Sequence, residues 1–95
     1  AGLRKLPHGS RVRVAGVVIT RQRPPTAKGV AFATLEDETG FADLVMHAEV
    51  YERVREVFST HALVAVSAIL QRDRETISYL VSGVTGMLFS PATPR

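Results

Sequence analysis

The sequence contains no cysteine. Disulfides, thiol catalysis and zinc knuckles are therefore excluded, and an intracellular setting is permitted. Long apolar runs are missing too. The longest extends from Ala62 to Leu70 and is broken by Ser67, far short of the ~20 residues that a helix crossing a bilayer needs. No secretory signal, internal repeat or low-complexity tract is visible. Patterns that carry catalysis are equally scarce. His8, His47 and His61 are scattered, with no pair at the helical spacing of a zinc site. Ser10, Ser59, Ser67, Ser78 and Ser82 lack the surroundings of a nucleophile elbow. Gly9, Gly16, Gly29, Gly40, Gly83 and Gly86 never form a phosphate loop ahead of a helix. The acidic run Glu36, Asp37, Glu38 reads as a charged hairpin turn, because alternation sends neighbouring strand carboxylates to opposite faces. No catalytic residue, metal site or cofactor is expected.

What is present fits one small domain. Ninety-five residues are 45% hydrophobic and 22% charged, ordinary globular values. Twelve Lys and Arg against nine Asp and Glu give a net charge of +3, which suits a polyanionic partner without demanding one. The start at Ala1 and the proline-containing end, Pro91 to Arg95, read as a module cut from a longer protein; a mature protein that has lost its Met is the rival reading.

Periodicity divides the chain into a lead-in segment at 1–9, a domain at 10–89 and a tail or linker at 90–95. Arg11 to Arg23 alternates and then becomes apolar, a long first strand whose Gly16 predicts a bulge or sharp coil. Pro24 to Gly29 forms a loop, since proline cannot donate to a ladder. Val30 to Glu36 is a second strand with Ala31, Ala33 and Leu35 on one face and Phe32, Thr34 and Glu36 on the other. Asp37 to Gly40 turns the chain into a third strand, Phe41 to Met46, with Ala42, Leu44 and Met46 opposite Asp43 and Val45. From Ala48 to Phe58 the period changes: Val50, Tyr51, Val54, Val57 and Phe58 make one helical stripe, expected to plug the barrel bottom, with Glu49 and Arg53 paired on the other side. Ala62 to Arg72 and Thr76 to Val84 are strands four and five. Val64, Val66, Ala68 and Leu70 are expected inside, and Ser67 and Ile69 outside. Three strands, one helix and two strands, with a glycine inside a long first strand, predict an all-β fold: a five-stranded Greek-key OB barrel with one α-helix between strands three and four. An SH3-like barrel is the rival, and it usually lacks that helix.

The outer face of strands two and three, with the loops after strands one and four, is where OB barrels bind oligonucleotides. Binders of single strands combine a positive groove for phosphates with aromatic platforms for bases. Here those residues are Arg21, Arg23, Lys28 and Phe32, with Thr34 beside Phe32, Asp43 across the hairpin, and Arg72 and Arg74 on the second loop. Glu36 and Asp43 share the face; they accept from base amino groups or repel phosphates.

Val14 to Gly40, "VAGVVITRQRPPTAKGVAFATLEDETG", together with "VYERVREVF" and "LQRD", resembles the C-terminal OB domain of bacterial C-family DNA polymerases, in particular the error-prone branch. The resemblance covers roughly residues 10 to 84, and its most specific part is the loop "RQRPPTAKG". It implies a cytoplasmic, non-catalytic OB module of a DNA-directed DNA polymerase whose active site lies elsewhere on the parent chain. It implies contact with single-stranded DNA, and a part in replication, repair and translesion synthesis. The implied partners are other domains of the polymerase and accessory mutagenesis proteins, without a membrane. Aminoacyl-tRNA synthetases have a related anticodon-binding domain, in which an aromatic at the position of Phe32 stacks on a base and a polar residue matches Asp43. The chain departs from the family at His47 and Ala48, where an aromatic and a proline are usual. Ser67 and Ile69 replace basic residues on strand four, and Ser82 and Gly83 replace charged ones on strand five. A protein-docking module and an anticodon-type RNA binder are the two alternatives.

Overall fold

The computed structural model describes residues 6–87. The expected lead-in is therefore seen only from Leu6, and the expected tail at 90–95 lies outside the described residues. The elements are β1 (Arg11–Gln22), β2 (Ala31–Asp37), β3 (Gly40–Met46), α1 (Ala48–Thr60), β4 (Leu63–Asp73) and β5 (Thr76–Gly86). A short 3₁₀ turn, Pro25–Ala27, occupies the loop after β1. The strands close in the order β1-β2-β3-β5-β4, all antiparallel except the β3–β5 pair. This is the five-stranded OB barrel expected, with its helix between strands three and four.

Alternation builds the core. Val12 and Val14 of β1, Ala31, Ala33 and Leu35 of β2, Ala42, Leu44 and Met46 of β3, and Val64, Val66, Ala68 and Leu70 of β4 all point inward and are buried. The α1 stripe inserts Val54 and Phe58 into this cluster, and Val50, Tyr51 and Val57 pack around them. Burying two such side chains contributes ~1.5–3 kcal/mol each. The expected Glu49–Arg53 pair is not the one α1 makes. Arg53 donates to the Ser82 carbonyl on β5, and Glu52 takes ion pairs from Arg55 and from Arg23.

β1 bends so as to serve two neighbours. Arg11 to Val17 pair with β4, Val17 to Gln22 pair with β2, and Val17 is shared. Gly16 sits at the crossing. A Cβ there would lie 2.6 Å from the Glu36 carbonyl oxygen, so the two backbones touch only because the side chain is absent. At Gly16, where a bulge or sharp coil is expected, the strand turns from one partner to the other, and the bulge lies at Ile19, between the Val18 and Thr20 pairings. An extra residue resets alternation. Before it, Val12 and Val14 face in; after it, Arg21 pairs with inward Ala33 and Gln22 pairs with outward Phe32.

The β2–β3 turn is held by its own side chains. Thr39 donates both its backbone N–H, at 2.7 Å, and its hydroxyl, at 2.6 Å, to Asp37 Oδ1. These bonds favour the charged carboxylate and hold the Asp37 pKa below its ordinary 3.8, the Thr39 hydroxyl contributing most.

Two predictions follow from this framework. Gly16→Ala pushes β1 off β2 and is expected to cost ~1–3 kcal/mol as an overpacking change, read as a fall in melting temperature of roughly 4–8 °C per kcal/mol. An unchanged melting temperature would mean that the crossing has room for a methyl group. Because the folded pKa of Asp37 is depressed, its stabilising charge is fully present above the unfolded value and is lost as pH falls through the folded one. Asp37→Asn should therefore lower the melting temperature near neutral pH and have progressively less effect below about pH 4. An effect of constant size across that range would rule the charge out as the cause.

Candidate nucleic-acid interface

The outer surface of β1, β2 and β3 is ordered in cross-strand rows. Gln22, Phe32 and Val45 form one row, Thr20, Thr34 and Asp43 the next, and Val17, Glu36 and Phe41 the third. Phe32 is 38% exposed and Phe41 57%. Between the two rings, the Thr34 hydroxyl donates to Asp43 Oδ1 at 3.3 Å and fixes the carboxylate on the open face. Phe32, Thr34 and Asp43 are thus brought together where alternation places them. Phe41 belongs with them. Its spacing of two from Asp43 and four from Val45 was the available signal.

The loops lie at opposite ends of this face. Ala31 pairs with Met46, so the β1–β2 loop meets that end of β3. β5 runs parallel to β3 with Leu44 opposite Tyr79, so the β4–β5 turn lies toward the Phe41 end. Lys28 in the first loop and Arg74 in the second both adopt left-handed backbone, with φ of 54° and 61°. Non-glycine residues there carry ~1–2 kcal/mol of strain. Neither side chain is engaged in a hydrogen bond or ion pair with the described residues.

Arg21, Arg23 and Arg72 are engaged within the fold. The Ile19 bulge turns Arg21 toward α1, where Nη1 donates to the Phe58 carbonyl at 3.1 Å and to Ser59 Oγ at 3.4 Å. The helix has no basic residue in its own last turn, so β1 supplies the cation that its C-terminal carbonyls favour. Arg23 pairs with Glu52 at 2.9 Å, donates to the Gly29 carbonyl and lies 4.9 Å from the Tyr51 ring centre. The Arg72 guanidinium donates to the Leu6 carbonyl at 2.6 Å, while its backbone N–H donates to His8 Nδ1. These three arginines hold loop, helix and lead-in in place.

A groove of about 610 Å³ opens where β1 leaves β4, between Ile19 and His61. Arg21 already crosses it to the helix carbonyl, and Thr20 is the one residue it shares with the rows of the outer face. His8, His47 and His61 stay apart, and the described residues hold no cluster of three or more potential metal ligands. No described helix is long and apolar enough to cross a membrane.

Comparison with known proteins agrees with the fold. Over 91 residues the chain is 42% identical to an error-prone DNA polymerase of Anaeromyxobacter sp. (strain K), a match covering 96% of the chain. Over 80 residues it is 48% identical to that of Azoarcus sp. (strain BH72), covering 84%. It spans about 8% of the length of either relative. Among solved structures, asparaginyl-tRNA synthetase from Pyrococcus horikoshii superposes with a TM-score of 0.68 at 25% identity, over 82% of this chain and 20% of that one. A small single-stranded DNA binding protein from Mycoplasma pneumoniae gives 0.68 at 8% identity, over 85% and 94%, a likeness of fold alone. Residues 12–85 match the tRNA anti-codon family, described as an OB-fold nucleic acid binding domain, and the chain belongs to that family.

Proposed function

We propose that the chain is a single-stranded DNA-binding module of an error-prone bacterial DNA polymerase, working in the cytoplasm in repair and translesion synthesis. The polymerase active site and the other partners, including accessory mutagenesis proteins, lie elsewhere on or around the longer chain. The observation that carries this reading is the outward row of Phe32, flanked by Thr34 and Asp43 and bounded by two unengaged cations, on a chain whose relatives are named error-prone DNA polymerases. Phe32 and Phe41 offer faces for bases, Asp43 accepts from base amino groups, and Lys28 and Arg74 meet phosphates at the two ends. The likeness to asparaginyl-tRNA synthetase favours anticodon-type RNA as the second reading.

Phe32→Ala is expected to weaken binding of a single-stranded DNA by about ten- to a hundredfold, the range of one base–aromatic stack. Because the ring is 38% exposed, the stability loss should fall well below the ~3–5 kcal/mol of a buried Phe. A large drop in melting temperature with unchanged affinity of the folded fraction would place Phe32 in the core and undo the site. Lys28→Glu with Arg74→Glu should flatten the log–log salt dependence by roughly 1.4, from ~0.7 per phosphate contact. A titration of matched DNA and RNA oligonucleotides separates the two readings. Tighter RNA binding favours the second, and no binding to either leaves protein docking.

A further inference from the structure

Nine of the twelve basic residues lie among the described residues, and four of these, Arg11, Arg13, Lys28 and Arg74, have side chains without a hydrogen bond or ion pair there. Lys28 and Arg74 bound the Phe32 face. Arg11 and Arg13 do not belong to it: they stand two apart on the half of β1 that pairs with β4, and both are exposed. Register connects them to the site. Val45 in the Phe32 row pairs with Leu80, Leu80 with Ile69, and Ile69 with Arg11. Paired residues point to the same side of a sheet, so Phe32, Val45, Leu80, Ile69 and Arg11 form one outward band running round the barrel from β2 to β1. Val45, Leu80 and Ile69 are half-buried and give it an apolar floor. Arg13 stands opposite Ser67, whose carbonyl accepts from Ser82 Oγ at 3.1 Å. Arg11, Arg13, Ser67, Ile69 and Ser82 line an open groove of about 450 Å³. Ser67, Ile69 and Ser82, uncharged positions of β4 and β5, thus lie beside two cations carried by β1.

We infer that Arg11 and Arg13 form a second phosphate-contacting track on the outer face of β1, occupied by the part of a single strand that runs past the Phe32 face. The inference rests on the proposed binding of single-stranded DNA. Four strand spacings separate Phe32 from Arg11, an arc of ~19 Å. At ~3.4 Å per nucleotide of stacked strand that is roughly six nucleotides, within the ~4–16 nucleotides that OB folds occupy. A strand seated on Phe32 has to be longer than a few nucleotides before it reaches the pair. The track therefore makes the contribution of Arg11 and Arg13 depend on oligonucleotide length, which a general charge effect does not.

The test compares (dT)4 with (dT)15 on the unsubstituted chain and on Arg11→Glu/Arg13→Glu, with Arg11→Gln/Arg13→Gln as a neutral variant and melting temperature as the check on folding. For (dT)15 the double reversal should flatten the salt slope by roughly 1.4, so that its affinity deficit shrinks about sevenfold between 50 and 200 mM salt. The neutral variant should shift the slope in the same direction, and (dT)4 binding should stay as it was. An equal loss for both lengths means a general charge effect and overturns the track. Intact (dT)15 binding in both variants overturns it as well, leaving the Phe32 site standing. If the unsubstituted chain binds no (dT)15, the site and the track fall together.

Discussion

Everything in this barrel depends on β1 reaching two partners at once. Its first half bonds β4 and its second half β2, and the chain crosses from one to the other where Gly16 touches the Glu36 carbonyl. A side chain at that point would hold β1 and β2 apart. Once the crossing is made, the remaining strands follow as local antiparallel hairpins, and the helix closes the open end. The bulge at Ile19 then gives β1 its second facing, which sends Arg21 to the helix and leaves Gln22 beside Phe32.

The arginines divide accordingly. Those after the bulge and at the inner end of β4 satisfy carbonyls and carboxylates of the fold itself: Phe58 and Gly29 carbonyls, Glu52, and the Leu6 carbonyl. They contribute order to the fold. The unengaged cations lie where the chain either turns sharply or faces outward before the bulge. That Lys28 and Arg74 sit in left-handed backbone, where glycine would be relaxed, is the pattern of loops that trade stability for function.

Much of this was legible from the residues alone. Strict alternation placed Val64, Val66, Ala68 and Leu70 inside and Phe32, Thr34 and Asp43 together outside, because a period of two leaves no freedom once one face is buried. The helical stripe announced α1 for the same reason. What alternation could not show is where it is interrupted. A bulge carries no composition signal of its own, so the fate of Arg21 and Arg23 was hidden until the register was known. Phe41 follows an acidic turn that masks its strand character, and its parity with Asp43 assigns it to the same face. Arg11 and Arg13 acquire meaning only from the closed barrel, which brings them into line with Phe32 across three intervening strands.

The parallel seam between β3 and β5 is the thinnest line of the barrel. Only Leu44 with Tyr79 and Val45 with Leu80 pair across it, against seven pairs between β1 and β4 and ten between β4 and β5. Fewer rungs mean a lower cost of local opening, so the seam is the place where the ladder holds the barrel least. α1 joins the two sides and is tied to β5 by the Arg53–Ser82 bond. Val45 and Leu80 line both the seam and the outward band. A polymer lying along that band would bridge the seam like a strap over a clasp, and opening there would become rarer while it is bound.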